Sequence, residues 1–192
     1  MGEKTYRQSR DALRMLSPGA VALVTTMYRD QPNVMTAAWM QPLSLSPLLI
    51  SVAVQSSRLT HEFMTKTEVF TLNFPTIDLL SAVHLAGMVS GHEKDKFEAS
   101  GLTPELGVAT EAPLIAECVA HVECSVRDRI TIGDHDLFVA TPLRVTADPE
   151  AFDGVWRVDQ DAGRVLHHLG GDRYAALGKA YQGKLPDDED EA

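Results

Sequence analysis

Short apolar segments of the β type follow one another along most of the chain, with only short helical patterns between them, and this succession limits the possible folds most. The regular strand–helix alternation that a doubly wound parallel sheet requires is missing. The pattern therefore predicts a mainly β fold, a barrel with short peripheral helices. The predicted strands are residues 20–27, 33–40, 48–54, 69–74, 116–132, 135–147 and 164–169.

The breaks between these segments are marked by residues that favour turns and caps. Pro42 and Pro47 bracket a predicted polar loop, and Gly133-Asp134 is expected to form a tight hairpin between the two longest strands. Ser56-Ser57 offers an N-cap for the second of four short helices. The predicted helices are residues 7–16, 58–66, 77–88 and 93–99.

The length and charge of the chain restrict its partners. Its 192 residues suit a single domain over residues 1–185, followed by an acidic tail over residues 186–192 that we expect to be disordered. The net charge of −10 disfavours nucleic acid as the main partner but does not exclude one anionic ligand held by a local cluster of donors. Neither a membrane-spanning run nor a signal-peptide pattern is found, so a cytoplasmic location is expected.

Two cysteines, Cys118 and Cys124, raise the question of a disulfide or a metal site. On a strand, their even spacing would put both on one face about 20 Å apart, so we expect buried free thiols. His121 would then lie on the opposite face, which argues against a metal site. The chain also lacks a Rossmann fingerprint, a P-loop, a zinc-protease motif and a nucleophile elbow.

Three segments, in this order, carry more specific information. The first runs from Asn33 to Trp39 and reads NVMTAAW, followed by the Pro- and Ser-containing stretch at residues 42–47 and the strand at 48–54. The second is SGHEKDKF at residues 90–97, and the third is Gly133-Asp134-His135 at the start of a strand. Together they resemble the flavin reductase-like family with the FMN-binding split-barrel fold, which includes the flavoredoxins. The likeness covers residues 15–143.

The resemblance implies a Greek-key-like split β-barrel and a homodimer with FMN near its interface, with parts of residues 48–54 and 119–127 expected there. It also implies NAD(P)H-dependent flavin oxidoreductase activity, in which hydride passes from the nicotinamide to the flavin. The electrons would then pass to a partner monooxygenase or another acceptor protein. Two alternatives stay open: an FMN-binding electron carrier without enzymatic activity that is reduced by a partner, and a barrel-type interaction module without cofactor.

The first segment has the chemistry of a slot for the flavin ring. Thr36, Ala37 and Ala38 have small side chains, so their backbone can approach a ligand closely. Trp39 would form an aromatic wall, although a tryptophan in the core is the alternative. The neighbouring Met35 and the strand residue Ser51 complete this part of the predicted cofactor-binding set.

Arg58 and Thr60 begin a predicted helix, where unpaired N–H groups attract anions. An arginine fork and a hydroxyl at this place are suited to the FMN phosphate. The alternative is an exposed arginine and a threonine that only supports the helix.

Four further residues complete the predicted cofactor-binding set, and the resemblance places His135 and His168 among them. Lys96, or Lys94 in its place, would put positive charge beside the ring. His135 would contact the flavin and take the catalytic role of hydrogen bonding or orienting the nicotinamide. Asn33 suits the uracil-like edge of the ring. Solvated lysines and turn residues are the alternatives. His168 stands where the family has an aromatic residue over the ring, and Tyr174 is the alternative for that place.

Overall fold

The computed structural model describes residues 5–183, so the predicted acidic tail lies outside the described residues. None of the described helices is long and apolar enough to cross a bilayer. The elements, in chain order, are α1 Asp11–Leu16, β1 Gly19–Ala20, β2 Ala22–Tyr28, β3 Gln31–Ala37, β4 Met40–Leu45, β5 Leu48–Gln55, α2 Leu59–Thr67, β6 Val69–Phe74, α3 Leu80–Met88, α4 Lys96–Ser100, β7 Pro104–Glu105, β8 Leu114–Ile115, β9 Ala120–Ile132, β10 His135–Ala147, β11 Leu166–Gly170 and β12 Arg173–Ala176.

The largest sheet has seven antiparallel strands in the order β3-β2-β6-β9-β10-β5-β4. Its two edge strands, β3 and β4, follow each other in the chain and are joined by Ala38 and Trp39 alone. Three residue steps span at most about 11 Å, so the sheet must curl until its edges meet at this connection. The result is the predicted mainly β split barrel, with its split between β3 and β4.

The strands alternate between two apolar clusters on opposite faces of the barrel wall. The inner cluster fills the barrel, and Met64 of α2 closes one end of it. The outer cluster lies between the wall and α3, α4 and β11. In β3, for example, Met35 and Ala37 belong to the inner cluster and Val34 to the outer one. Strand β3, on one side of the split, is therefore held from both faces.

The predicted loop at residues 42–47 is wrong over most of its length, because residues 40–45 form β4, which pairs with β5. Pro42 has no N–H to donate, but an edge strand tolerates this loss, and a register shift follows between Pro42 and Ser44. The predicted strand at 33–40 accordingly divides into β3 and β4. The expected Gly133-Asp134 turn between β9 and β10 is confirmed, with Gly133 at φ +64°.

Helix starts differ from their predicted positions. The predicted N-cap at Ser56-Ser57 is wrong, since Arg58 is the N-cap of α2 and no side chain caps the helix. Helix α4 begins at Lys96, where Asp95 accepts hydrogen bonds from the N–H groups of Phe97 and Glu98. The helix predicted at 77–88 opens with a short 3-10 turn before α3, and α1 is shorter than residues 7–16.

Both cysteines are buried free thiols, as expected, but they do not share a face. Cys118 precedes β9 and belongs to the outer cluster, whereas Cys124 lies inside the barrel. Burial raises the pKa of Cys124 to about 12 and that of Cys118 further still. Both thiols are therefore protonated at physiological pH and poor nucleophiles.

Candidate functional site

The connection between β3 and β4 forms a wall of a cleft of about 150 Å³, which we call the Trp39 cleft. It brings together most of the predicted site residues, from four separate segments of the chain. Small side chains of β3 form one side, and β5 and the start of β10 form the other. The lining residues are Met35, Thr36, Ala37, Ala38, Trp39, Ala53, Val54, Gln55, Arg58 and His135.

The rings of Trp39 and His135 lie against each other, tilted, in this cleft. Their ring centroids lie 4.9 Å apart and their planes differ by 35°. Trp39 is 46% exposed, so it is not a core tryptophan. Its backbone carbonyl accepts a hydrogen bond from the N–H of Ala53 at 2.9 Å, which ties the connection to β5. The arrangement offers a planar ligand an aromatic surface anchored to the barrel.

The orientation of His135 is set by its neighbour in the β9–β10 hairpin. Its Nδ1 lies 2.8 Å from Oδ1 of Asp134, and Gln55 donates to the other carboxylate oxygen at 3.5 Å. The hydrogen bond from His135 lowers the pKa of Asp134, which therefore is a carboxylate that only accepts. Nδ1 consequently carries a proton, and Nε2 is left to accept from a ligand or, once protonated, to donate to it.

Arg58 also lines the cleft, from the start of α2. Its side chain is exposed, and no side chain caps the first turn of the helix. In the described part of the chain, no carboxylate oxygen lies within 4.0 Å of Arg58 or Lys96, although acidic residues outnumber basic ones 27 to 17. Unpaired positive charge and free helix N–H groups together favour an anion.

Lys96 is buried, and it lies near enough to Arg58 for the two positive charges to interact. It is 7% exposed, does not line the Trp39 cleft, and its Nζ donates to the carbonyl oxygen of Ala86 in the last turn of α3 at 2.8 Å. Burial lowers its pKa to about 8, and the positive charge of Arg58 contributes further. An ammonium has three donors, and within residues 5–183 only this one hydrogen bond is formed.

Asn33 and Thr60 use their polar atoms inside the protein. They are 4% and 1% exposed, and Nδ2 of Asn33 donates to Oγ1 of Thr60 at 2.7 Å. The carbonyl of the same amide lies so close to Gly91 that a Cβ there would collide with it. The pair thus joins β3 to the first turn of α2. This position of Thr60 agrees with the alternative interpretation, in which the threonine supports the helix.

The last two predicted residues line cavities that share Ala38 and Trp39 with the cleft. Ser51 faces a groove of about 430 Å³ together with Leu13 and Leu16 of α1. His168 lines a cavity of about 240 Å³, which we call the Tyr174 cavity, and its Nε2 donates to the carbonyl oxygen of Gly171 at 3.0 Å. Tyr174 lines the same cavity, so both candidates for the outer position lie there.

Sequence reasoning missed His84, which lines the Tyr174 cavity from α3. Its Nδ1 lies 3.4 Å from the hydroxyl of Tyr174, and burial raises the pKa of that hydroxyl. The chain segment around His84 carries an ordinary helical pattern, and the partner tyrosine lies 90 residues further on. No local signal marks the contact.

A buried pair between α2 and β10 was also missed. Nε2 of His61 lies 2.8 Å from Oδ2 of Asp136, and their side chains are 13% and 9% exposed. Nε of Arg129 lies 3.5 Å from the same carboxylate oxygen. Alternation along the predicted strand offered one signal, since Asp136 shares a face with Phe138 and Ala140 of the inner cluster, and a carboxylate in that position needs a partner.

Comparison with known proteins places the chain in a family. A family model for the flavin reductase like domain matches residues 14–173. An uncharacterized protein of Archaeoglobus fulgidus is 42% identical over 125 residues, which are 65% of this chain and 71% of that protein. The NADH-dependent FAD reductase of Streptomyces globisporus is 30% identical over 127 residues, 66% of this chain and 69% of the enzyme.

Solved structures show the same fold. The FMN-binding protein from Thermus thermophilus, solved with bound 1-cyclohex-2-enone, has a TM-score of 0.82 at 25% identity and covers 96% of this chain and 100% of its own. The flavoredoxin of Desulfovibrio vulgaris has a TM-score of 0.82 at 24% identity, covering 98% of this chain and 100% of its own. The chain therefore belongs to the flavin reductase-like family, as its three characteristic segments predicted.

Proposed function

We propose that this protein binds FMN across the Trp39 cleft and reduces it with NADH or NADPH. The observation that carries the proposal is a single cleft that combines the aromatic rings of Trp39 and His135 with the positive charge of Arg58, which has no acidic partner among residues 5–183. The FMN bound by the Thermus relative and the NADH dependence of the Streptomyces relative support it. We further propose that the electrons pass to a partner monooxygenase or another acceptor protein.

The residues present fit FMN in shape and charge. Pockets for ligands of drug size measure about 300–1,000 Å³. The Trp39 cleft alone, at about 150 Å³, is too small, but the Tyr174 cavity of about 240 Å³ shares Thr36, Ala38 and Trp39 with it. We infer that the flavin ring extends along this shared wall, where small side chains let the backbone approach it.

The proposed roles follow from the contacts described above. Bound FMN supplies the hydride-accepting chemistry, so the protein needs no nucleophile or metal of its own. Trp39 holds the ring by stacking, and His135, fixed by Asp134, hydrogen-bonds the flavin or orients the nicotinamide. Arg58 binds the phosphate with its fork, and Lys96 adds a second positive charge. Tyr174 and His168 limit the access of water to the outer side.

An anaerobic titration with NADH and NADPH tests the activity. If the proposal is correct, the FMN-loaded protein loses its visible flavin absorption rapidly with at least one of the two nucleotides. Retained absorption with FMN bound would contradict the reductase activity and favour the electron-carrier alternative. A protein that takes up no FMN at all would contradict both and favour an interaction module.

Replacing Trp39 by alanine should weaken the binding of FMN and riboflavin equally, by about tenfold, because both share the ring that stacks on the indole. Flavin titrations of the apoprotein measure both dissociation constants. The chain's other tryptophan, Trp156, contacts Phe74 and Phe152 outside the cleft, so Trp156→Ala is the matched control. Unchanged binding in Trp39→Ala would contradict the assignment of the ring site.

The proposed homodimer has a candidate surface at the free edge of the sheet. Strand β4 offers unpaired backbone groups, and an exposed apolar edge of this kind favours pairing with another chain. Leu45 is 90% exposed and Leu48 is 49% exposed at the β4–β5 turn. Leu143 and Val145 of β10 are 50% and 62% exposed. We propose that this surface is the interface between two copies.

Replacing Leu45 and Leu48 together by glutamate should convert the dimer into a monomer, because the new carboxylates would be buried against an apolar surface of the partner. Size-exclusion chromatography with light scattering measures the mass. Leu106, which is 83% exposed on a separate loop, provides the control Leu106→Glu, expected to stay dimeric. A monomeric wild-type protein, or a dimer that survives the double substitution, would contradict the interface.

A further inference from the structure

We propose that the buried His61–Asp136 pair is a positioning device that holds the first turn of α2, and with it Arg58, in the geometry that binds a phosphate. This inference rests on the proposed FMN function and adds residues that touch neither the cleft nor the Tyr174 cavity.

The first turn of α2 is the part of the helix that an anion would contact, and no side chain hydrogen-bonds to its free N–H groups. Two side-chain contacts hold it instead. Thr60 accepts a hydrogen bond from Asn33 of β3 at 2.7 Å, and His61 lies 2.8 Å from Asp136 of β10. Three strands separate β3 from β10 along the sheet, so the turn is held from two sides of the barrel. Arg58, the N-cap, directly precedes these anchored residues.

The chemistry of the pair favours a geometric role over a purely stabilising one. The residue Asp136 is 6% exposed, and removing a carboxylate from water is costly, so an apolar pair of similar size would serve stability as well. The hydrogen bond from His61 lowers the pKa of Asp136, and Arg129 adds an opposite charge. A carboxylate that accepts from a ring N–H fixes distance and direction, as a binding site requires to within about 0.5 Å.

The same strand start fixes both ends of the proposed site. Asp134, His135 and Asp136 are consecutive, and successive residues of a strand point to opposite faces. Asp134 holds the ring of His135 in the Trp39 cleft, while Asp136 holds the ring of His61, a residue in the first turn of α2. The hairpin between β9 and β10 therefore sets the position of the ring contact and of the phosphate contact together.

The test compares FMN with riboflavin, which lacks the phosphate. His61→Phe keeps a ring of similar size against Phe138 but removes the hydrogen bond, and we expect FMN affinity to fall about tenfold with riboflavin affinity within about twofold. Asp136→Leu should act in the same way. Asp136→Asn keeps an oxygen that accepts from His61, so it should retain FMN affinity within about threefold of wild type.

A control variant separates positioning from general stability. Thr67, the last residue of α2, donates its hydroxyl to the carbonyl oxygen of Phe63 at 3.0 Å, so Thr67→Val removes a polar contact from the far end of the helix without changing a partner of Asp136. It should leave the ratio of the two affinities unchanged. In an Arg58→Ala background, His61→Phe should have little additional effect on this ratio, because the pair acts through Arg58.

The outcomes distinguish this inference from the function on which it rests. A wild-type protein that binds FMN and riboflavin equally well would overturn the phosphate site and the positioning role together. A wild-type preference for FMN that persists in folded His61→Phe and Asp136→Leu would overturn the positioning role alone. Equal losses of FMN and riboflavin affinity in these variants would also overturn the positioning role, because they would indicate a general disturbance of the barrel.

Discussion

Replacing Arg58 by alanine should raise the dissociation constant for FMN by about ten- to a hundredfold and leave that for riboflavin within about twofold. The guanidinium has no acidic partner among residues 5–183, so its removal breaks no ion pair of the fold. It lies at the start of α2, which no side chain caps, so under the proposed function its fork and the helix N–H groups would bind the same phosphate. Titration of the apoprotein with each flavin measures both constants.

Two further variants make the result specific. Arg58→Lys keeps the charge but not the planar fork, so its affinity for FMN should lie between those of wild type and alanine variant. Arg173→Ala removes an exposed arginine of β12 that does not line the cleft, and should change neither flavin's affinity. Equal losses of FMN and riboflavin in Arg58→Ala would show that the arginine supports the fold instead of binding the phosphate. Thr60 is left intact because its buried hydroxyl holds Asn33.

The strand that forms the cleft could be predicted because its signal is local. The small residues before Trp39 fall where β3 ends, and alternation along one strand defines its two faces. The likeness to a family then predicted that Arg58 and His135 bind the same ligand, and in the structure both residues line the Trp39 cleft. Residue type, spacing and the family likeness together predicted residues that line one cleft, because lining a cleft depends on backbone position more than on a distant side chain.

Side-chain partners could not be predicted in the same way. Asn33 was assigned to the ring and Thr60 to the phosphate, yet they bond to each other across 27 residues of chain. Lys96 was assigned to the ring, but the buried lysine satisfies a carbonyl oxygen at the end of α3. His61 and Asp136 are 75 residues apart. Such pairs depend on how the sheet curls, which no short segment encodes.

The missed strand β4 has a different physical cause. Prolines are typical of turns, so Pro42 and Pro47 indicated a loop. Only the order of the sheet shows that β4 is an edge strand, where a residue without an N–H costs little. The error matters for function because the two-residue connection between β3 and β4 carries Trp39. Its position at the split of the barrel follows from topology.

FMN affinity should fall as pH rises above about 8, by up to about tenfold per pH unit, because Lys96 loses its proton there. Burial and the charge of Arg58 hold the pKa of this lysine well below its ordinary 10.5. A bound phosphate dianion would favour the charged form and raise the pKa again. Binding above pH 8 must therefore include proton uptake, whereas below it the amine already carries its proton.

The same lowered pKa makes the stability of the flavin-free fold change with pH in the opposite direction. Below pH 8 the lysine is charged in both folded and unfolded states, so the cost of burying its charge lowers the free energy of unfolding by its full amount. Between about pH 8 and 10.5 the unfolded state binds more protons, and this residue's contribution to stability rises with pH. Loss of FMN affinity over this range would thus not come from this residue weakening the fold.

Dissociation constants for FMN and riboflavin, measured from pH 6 to 10, test the role of Lys96. The wild-type protein should show the fall for FMN and not for riboflavin, which has no phosphate. In Lys96→Met the FMN affinity should be lower at pH 7 and nearly independent of pH, because the titrating charge is absent. A flat profile in the wild-type protein, or an undiminished slope in Lys96→Met, would remove Lys96 from the phosphate site and leave it only the role of bonding Ala86 in α3.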